Sequence, residues 1–201
     1  MPFARLLTTS ALALALALPI SAPSFADNHG AMIETSVNEA DLPKKKTNEP
    51  GHYITAAESI ALLKERDDVA LIDIRSPEET MFVGYATDTD ANIPFMNVDP
   101  AHTYNPKKSA YKMMPNDGFV DQVKAYVAAN DPAALLIICR SGGRSAKAVD
   151  KLAKAGVETP AYTVVDGFEG DKSDAGKRTV NGWKNAGGDW TYKITEGLLT
   201  N

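Results

Sequence analysis

The chain has 201 residues, of which 44% are hydrophobic, with 21 basic and 26 acidic side chains and a single cysteine. A net charge of −5 argues against nucleic acid or an anionic membrane as a whole-surface partner. One cysteine excludes an internal disulfide, and His29, His52 and His102 share no ligand spacing with it or with each other, so no metal site is expected.

The first element is a targeting segment. Arg5 precedes an apolar run at 11–18 built on alternating Ala and Leu, and Ser24-Phe25-Ala26 supplies the small residues a signal peptidase needs. The run is well short of the roughly 20 residues a bilayer requires, so residues 1–26 read as a signal peptide cleaved after Ala26. Only Arg5 among the charged residues is lost with it, which leaves 20 basic against 26 acidic side chains. The expected product is a periplasmic protein with no membrane contact after cleavage. Its remaining length suits one buried core.

Residues 27–52 are polar, carry the Lys44-Lys45-Lys46 run and end near Pro50-Gly51, a composition that predicts a flexible leader. From there the pattern is ordered. Thr55 with Glu58 forms a capping box ahead of Ala56, Ile60 and Leu63, predicting a helix over 56–65. An apolar strand at 69–74 follows, then a helix announced by Ser76-Pro77-Glu78-Glu79 as cap, first-turn proline and capping glutamate. A short strand near 92–93 leads into a long polar loop at 96–116. Phe119, Val123, Tyr126 and Val127 mark a third helix, ended by Asp131-Pro132. The fully apolar run 134–138 has the signature of a parallel strand buried on both faces. A fourth helix presents Ala146, Val149, Leu152 and Ala153 and closes at Gly156, and 161–165 is the last strand. This alternation predicts an α/β domain with a mainly parallel sheet, whose ligands bind beyond the carboxyl ends of the strands.

Cys139 lies at that edge, directly after the strand at 134–138. The loop from it to the fourth helix contains Gly142 and Gly143, which can turn backbone N–H groups inward as an anion nest at a helix amino terminus. Arg140 and Arg144 add positive charge, and such surroundings favour the nucleophilic thiolate. A lone cysteine in an exported chain is either a small buried hydrophobe or a reactive thiol. The loop around it favours the reactive thiol.

Five blocks of residues together resemble the rhodanese domain: Leu71-Ile72-Asp73-Ile74-Arg75 with Glu79, Asn92-Ile93-Pro94, the 139–145 loop, Asp166-Gly167-Phe168, and Trp183-Lys184-Asn185-Ala186-Gly187. The resemblance implies a three-layer α/β domain over 53–195, with a central, mainly parallel five-stranded sheet flanked by helices and a short tail at 196–201. It implies Cys139 as the nucleophile that carries sulfur as a persulfide, with Arg140, Ser141, Gly142, Gly143, Arg144 and Ser145 as the cradle. No cofactor is implied. The partners would be a small sulfur donor such as thiosulfate and a thiol or cyanide acceptor, with any protein partner in the periplasm unspecified. Asp73, Arg75 and Glu79 resemble a structural ion pair that pins strand to helix.

This chain departs from the pattern in two places. Gly84-Tyr85-Ala86 stands where the family usually has a histidine after the glycine, and Tyr85 is expected to pack. Residues 171–182 are an insertion with Lys172, Lys177 and Arg178, expected to overhang the active-site edge. Two other readings of the loop are a cysteine phosphatase or arsenate reductase and a non-catalytic sulfur-carrier or binding module. The phosphatase loop holds five residues between Cys and Arg, whereas four separate Cys139 from Arg144, a shorter loop better suited to a persulfide.

Overall fold

The computed structural model describes residues 32–198. The expected signal peptide, the start of the leader and the last three residues lie outside the described residues.

Five strands pair in the order β1 (Tyr53–Ile54), β10 (Ala161–Val164), β9 (Ala134–Ile138), β2 (Val69–Asp73) and β4 (Thr89–Asn92), every pair parallel. The expected central five-stranded sheet is present. Its middle strand shows why the run 134–138 shows no polar–apolar alternation. Leu135 and Ile137 enter the cluster that holds Phe119 and Val123 of α3 (Phe119–Asn130) and Ala148, Val149 and Leu152 of α4 (Gly143–Lys154). Ala134, Leu136 and Ile138 enter the opposite cluster with Ile54, Phe168 and Trp183, against which Ile60 and Leu63 of α1 (Ala56–Leu63) pack. Both faces are covered, giving three layers. Leu135, Leu136, Ile137 and Ile138 are all fully buried, each contributing about 1.5–3 kcal/mol.

Both capping boxes read from the sequence are present, Thr55 with Glu58 on α1 and Ser76 with Glu79 on α2 (Pro77–Val83). On α4 the buried stripe includes Ala148 in place of Ala153, which is exposed. Because the sheet is parallel, the segments that leave β2, β9 and β10 gather at one edge, where the site lies.

Two expectations are corrected. Residues 96–116 are not a plain loop: β5 (Met96–Val98) pairs antiparallel with β8 (Met113–Pro115), and between them β6 (Tyr104–Asn105) pairs with β7 (Ala110–Tyr111). Most side chains of these strands are exposed or only partly buried, so no alternating pattern marks them.

The leader is laid along the domain from residue 32. Ile33 N–H donates to the Tyr162 hydroxyl at 2.8 Å, Asn48 Nδ2 donates to Thr163 Oγ1 at 3.0 Å, and buried Lys46 reaches Asp171 at 2.6 Å. The short turn Lys44–Lys46 packs on α4.

Leu198 of the tail is buried at 2% exposure. Tyr85 packs as expected and does more: it is buried in β3 (Tyr85–Ala86), which pairs with β11 (Trp190–Thr191), and its hydroxyl donates to the Lys193 carbonyl at 2.8 Å. No helix among the described residues is long and apolar enough to cross a membrane.

Candidate active site

Cys139 follows β9 and is 1% exposed, with its free thiol against the α3 and α4 side of the sheet. The chain then turns through residues 140–142 into α4. Its carbonyls are taken by the segment that leaves β10: Phe168 N–H donates to the Cys139 carbonyl at 2.8 Å, and Glu169 and Gly170 N–H donate to the Arg140 carbonyl at 3.0 and 3.2 Å. The N–H groups of residues 140–145 have no acceptor among the described residues. A run of unpaired donors at the start of a twelve-residue helix is what an anion nest there would require.

Two glycines make the turn feasible. Gly142 has φ +90°, and a side-chain carbon there would collide with the Val165 carbonyl. Gly167, at φ +65°, sits in the same way against the backbone of residues 139–141. Both positions need a left-handed backbone and a close approach, which only glycine meets without strain.

The other predicted cradle residues play different parts. Ser145 is fully buried at the foot of α4, and its Oγ has no partner among the described residues. A buried orphan hydroxyl costs about 1–3 kcal/mol unless something binds it. Ser141 is half-buried on the turn, while Arg140 is exposed and forms no ion pair among the described residues.

Arg144 already holds an acid: its two terminal nitrogens each donate to Glu79 at 2.6 Å, a bidentate pair between α4 and α2. Burial alone would raise the Glu79 carboxyl, but the hydrogen bonds and charge of Arg144, with the Ser76 N–H, hold it below the usual carboxylate range. Burial would likewise lower Arg144, and Glu79 outweighs it and raises it. Arg144 therefore braces the loop, with most of its charge answered.

The expected Asp73, Arg75 and Glu79 cluster divides. Asp73 and Arg75 form a buried pair at 2.6 Å, with side chains 1% and 0% exposed. Arg75 also donates to the Gly84 carbonyl at 2.9 Å and lies 4.1 Å from the Phe168 ring centroid. Asn92 Nδ2 fastens the carbonyls of both Asp73 and Arg75 at 2.8 Å. Glu79 leaves this group for Arg144.

The sequence reading missed the partners of the insertion. Asp171 meets Lys46, and Asp166 accepts from Ala56 N–H at 2.7 Å and Gly182 N–H at 2.9 Å, fixing the insertion's foot to α1. The cations of the insertion were visible in the sequence, but nothing local said where Arg178 would point.

The Glu79–Arg144 pair has a pH signature. Its carboxyl titrates below the ordinary value of 4.5 when folded, so the stabilisation is present above that value and is lost as pH falls through the depressed folded value. Glu79→Gln should cost about 1.5–3 kcal/mol near neutrality, the worth of a charge-assisted hydrogen bond. The gap to the parent protein should narrow on acidification. Melting temperatures of both proteins from about pH 6 to pH 3 test this, and a gap independent of pH would refute the assignment.

Comparison with known proteins gives a consistent picture. The family described as rhodanese-like domain matches residues 55–174. A chloroplastic protein named thiosulfate sulfurtransferase 16, from Arabidopsis thaliana, is 31% identical over 115 residues, 57% of this chain and 80% of its own. An uncharacterized protein of Rickettsia prowazekii is 27% identical over 140 residues, 69% of this chain and 96% of its own. Among solved structures, Rv0390 from M. tuberculosis aligns with a TM-score of 0.53 at 27% identity, covering 70% of this chain and 96% of that one.

Proposed function

Since the chain belongs to the rhodanese-like domain family, we propose that it is a sulfurtransferase whose Cys139 alternates between thiolate and persulfide. The observation that carries this reading is the row of unpaired N–H groups from 140 to 145 around the buried thiol. The Cys139 thiolate attacks the outer sulfur of thiosulfate, a new S–S bond forms, and the old S–S bond breaks with its electron pair leaving on sulfite. The negative charge then rests on the terminal persulfide sulfur, where the nest can hold it. A cyanide or thiolate acceptor attacks that sulfur and restores the Cys139 thiolate, leaving thiocyanate or a new persulfide. Charge balances in both steps, with no outside oxidant.

The four-residue spacing between Cys139 and Arg144, together with the engagement of Arg144 by Glu79, weighs against a phosphatase, which needs its arginine free for a phosphoryl group. A carrier module that never turns over would take up sulfur but not pass it to small acceptors. The test is intact mass of the purified protein after thiosulfate and again after cyanide. One sulfur atom should be gained and then lost. No gain sinks the proposal, and gain without loss favours the carrier. The periplasmic location belongs to the same proposal and rests on residues 1–26; the secreted form should begin at Asp27, and an uncleaved cytoplasmic chain would refute it.

A further inference from the structure

The 171–182 insertion is a hairpin with a built foot and a charged arm. Lys172 and Arg178 pair across it, Ser173 N–H donates to the Lys177 carbonyl at 2.8 Å, and Gly176 turns the tip at φ +75°. At the foot Asp171 is held by Lys46 and by Asn181, whose Oδ1 accepts its N–H at 2.7 Å. Arg178 folds back toward the sheet edge. One terminal nitrogen, Nη1, donates to the Gly170 carbonyl, and Gly170 N–H donates in turn to the Arg140 carbonyl. One residue, Gly170, thus separates this guanidinium from the residue that follows Cys139.

Arg178 is 18% exposed at its side chain, its Nε is 3.9 Å from Glu169 Oε2, and its Nη2 has no partner among the described residues. Burial and the charge of Arg140 pull it below the ordinary guanidinium range, against the attraction of Glu169, Asp171 and Cys139. Glu169 meets Arg178 only at 3.9 Å and Asp171 is already taken by Lys46, so the mutual repulsion of Arg140 and Arg178 is only partly offset on this side of Cys139. Arg144 does not contribute, because Glu79 answers it. A donor that presents its outer sulfur to Cys139 must point its sulfonate away from the thiol, within reach of the cations that surround it.

We propose that Arg178, supplied by the insertion, joins Arg140 in holding the sulfonate end of an anionic sulfur donor, so that the site favours doubly charged donors over singly charged and neutral ones. This rests on the persulfide reading of Cys139.

Three donors separate the charge effect from the chemistry: thiosulfate, methanethiosulfonate with one negative charge, and an uncharged organic trisulfide, whose central sulfur bonds to Cys139 as a thiolate leaves, giving a mixed trisulfide. Arg178→Met should raise the KM for thiosulfate by roughly 10- to 100-fold with kcat little changed. The rise should be smaller for methanethiosulfonate, and within about twofold for the trisulfide. Arg178→Lys should recover part of the loss. Glu169→Gln, which frees Arg178 of its counter-charge, should lower the thiosulfate KM. An unchanged ratio of thiosulfate to trisulfide efficiency in Arg178→Met overturns the inference. If that variant loses its circular dichroism spectrum, Glu169→Gln decides, and an unaltered thiosulfate KM overturns it. A parent protein that gains no sulfur from any of the three donors sinks the persulfide reading itself, a result distinct from sulfur gain with an indifferent Arg178.

Discussion

Cys139→Ser is expected to abolish sulfur gain and to lower turnover with every donor by at least about 10³-fold, because a hydroxyl at neutral pH is a far weaker nucleophile and cannot hold a persulfide. The fold should survive. The replacement is nearly isosteric, and its cost is that of one hydroxyl in a site that is 1% exposed, about 1–3 kcal/mol. Circular dichroism and a donor assay on the same preparation check both halves. Residual transfer above about 1% of the parent rate would move the chemistry off Cys139.

Arg75→Met should be the most damaging single change to stability away from the nucleophile. It would strand the Asp73 carboxylate, 1% exposed, without the guanidinium that meets both of its oxygens. Removing one member of a buried pair costs about 3–5 kcal/mol, which for a domain of this size lowers the melting temperature by roughly 6–20 °C. Pairing the change with Asp73→Asn should recover part of the loss, since no unpaired charge then remains. A fall worth less than about 1 kcal/mol, or no recovery in the double variant, would show that the pair is not what fastens the end of β2.

The framework was legible because it is written locally. Leu71 and Leu136 lie in runs too apolar to be anything but doubly covered strands, and Thr55 with Glu58 and Ser76 with Glu79 announce their helices within four residues. The Cys139 turn was legible for the same reason, its glycines and arginines being consecutive.

What stayed hidden depends on distant partners. Lys46 reads as a solvated cation until Asp171, 125 residues on, takes it into the interior. Glu79 reads as a cap and as a member of the Asp73 and Arg75 cluster, whereas its ion-pair partner is Arg144, 65 residues away. The short ladders between Met96 and Pro115 join backbone to backbone with little burial, so side-chain pattern carries no trace of them.

The edge strand β1 has a consequence for the order in which the chain can assemble. Tyr53 and Ile54 pair with Thr163 and Val164, and the first amide of α1 is held by Asp166, 110 residues further along. Among the described residues, no strand before β10 offers it a ladder. A chain emerging amino end first can join β2 to β4 while the rest is still being made, but β1, and the strap that ties Ile33 to Tyr162, must wait until the last strand of the sheet exists. Closing so long a loop is slow, since its entropy must be lost before any contact compensates. The first residues of the domain to be synthesised are therefore among the last to find their places, and until they do, the outer edge of β10 stands open.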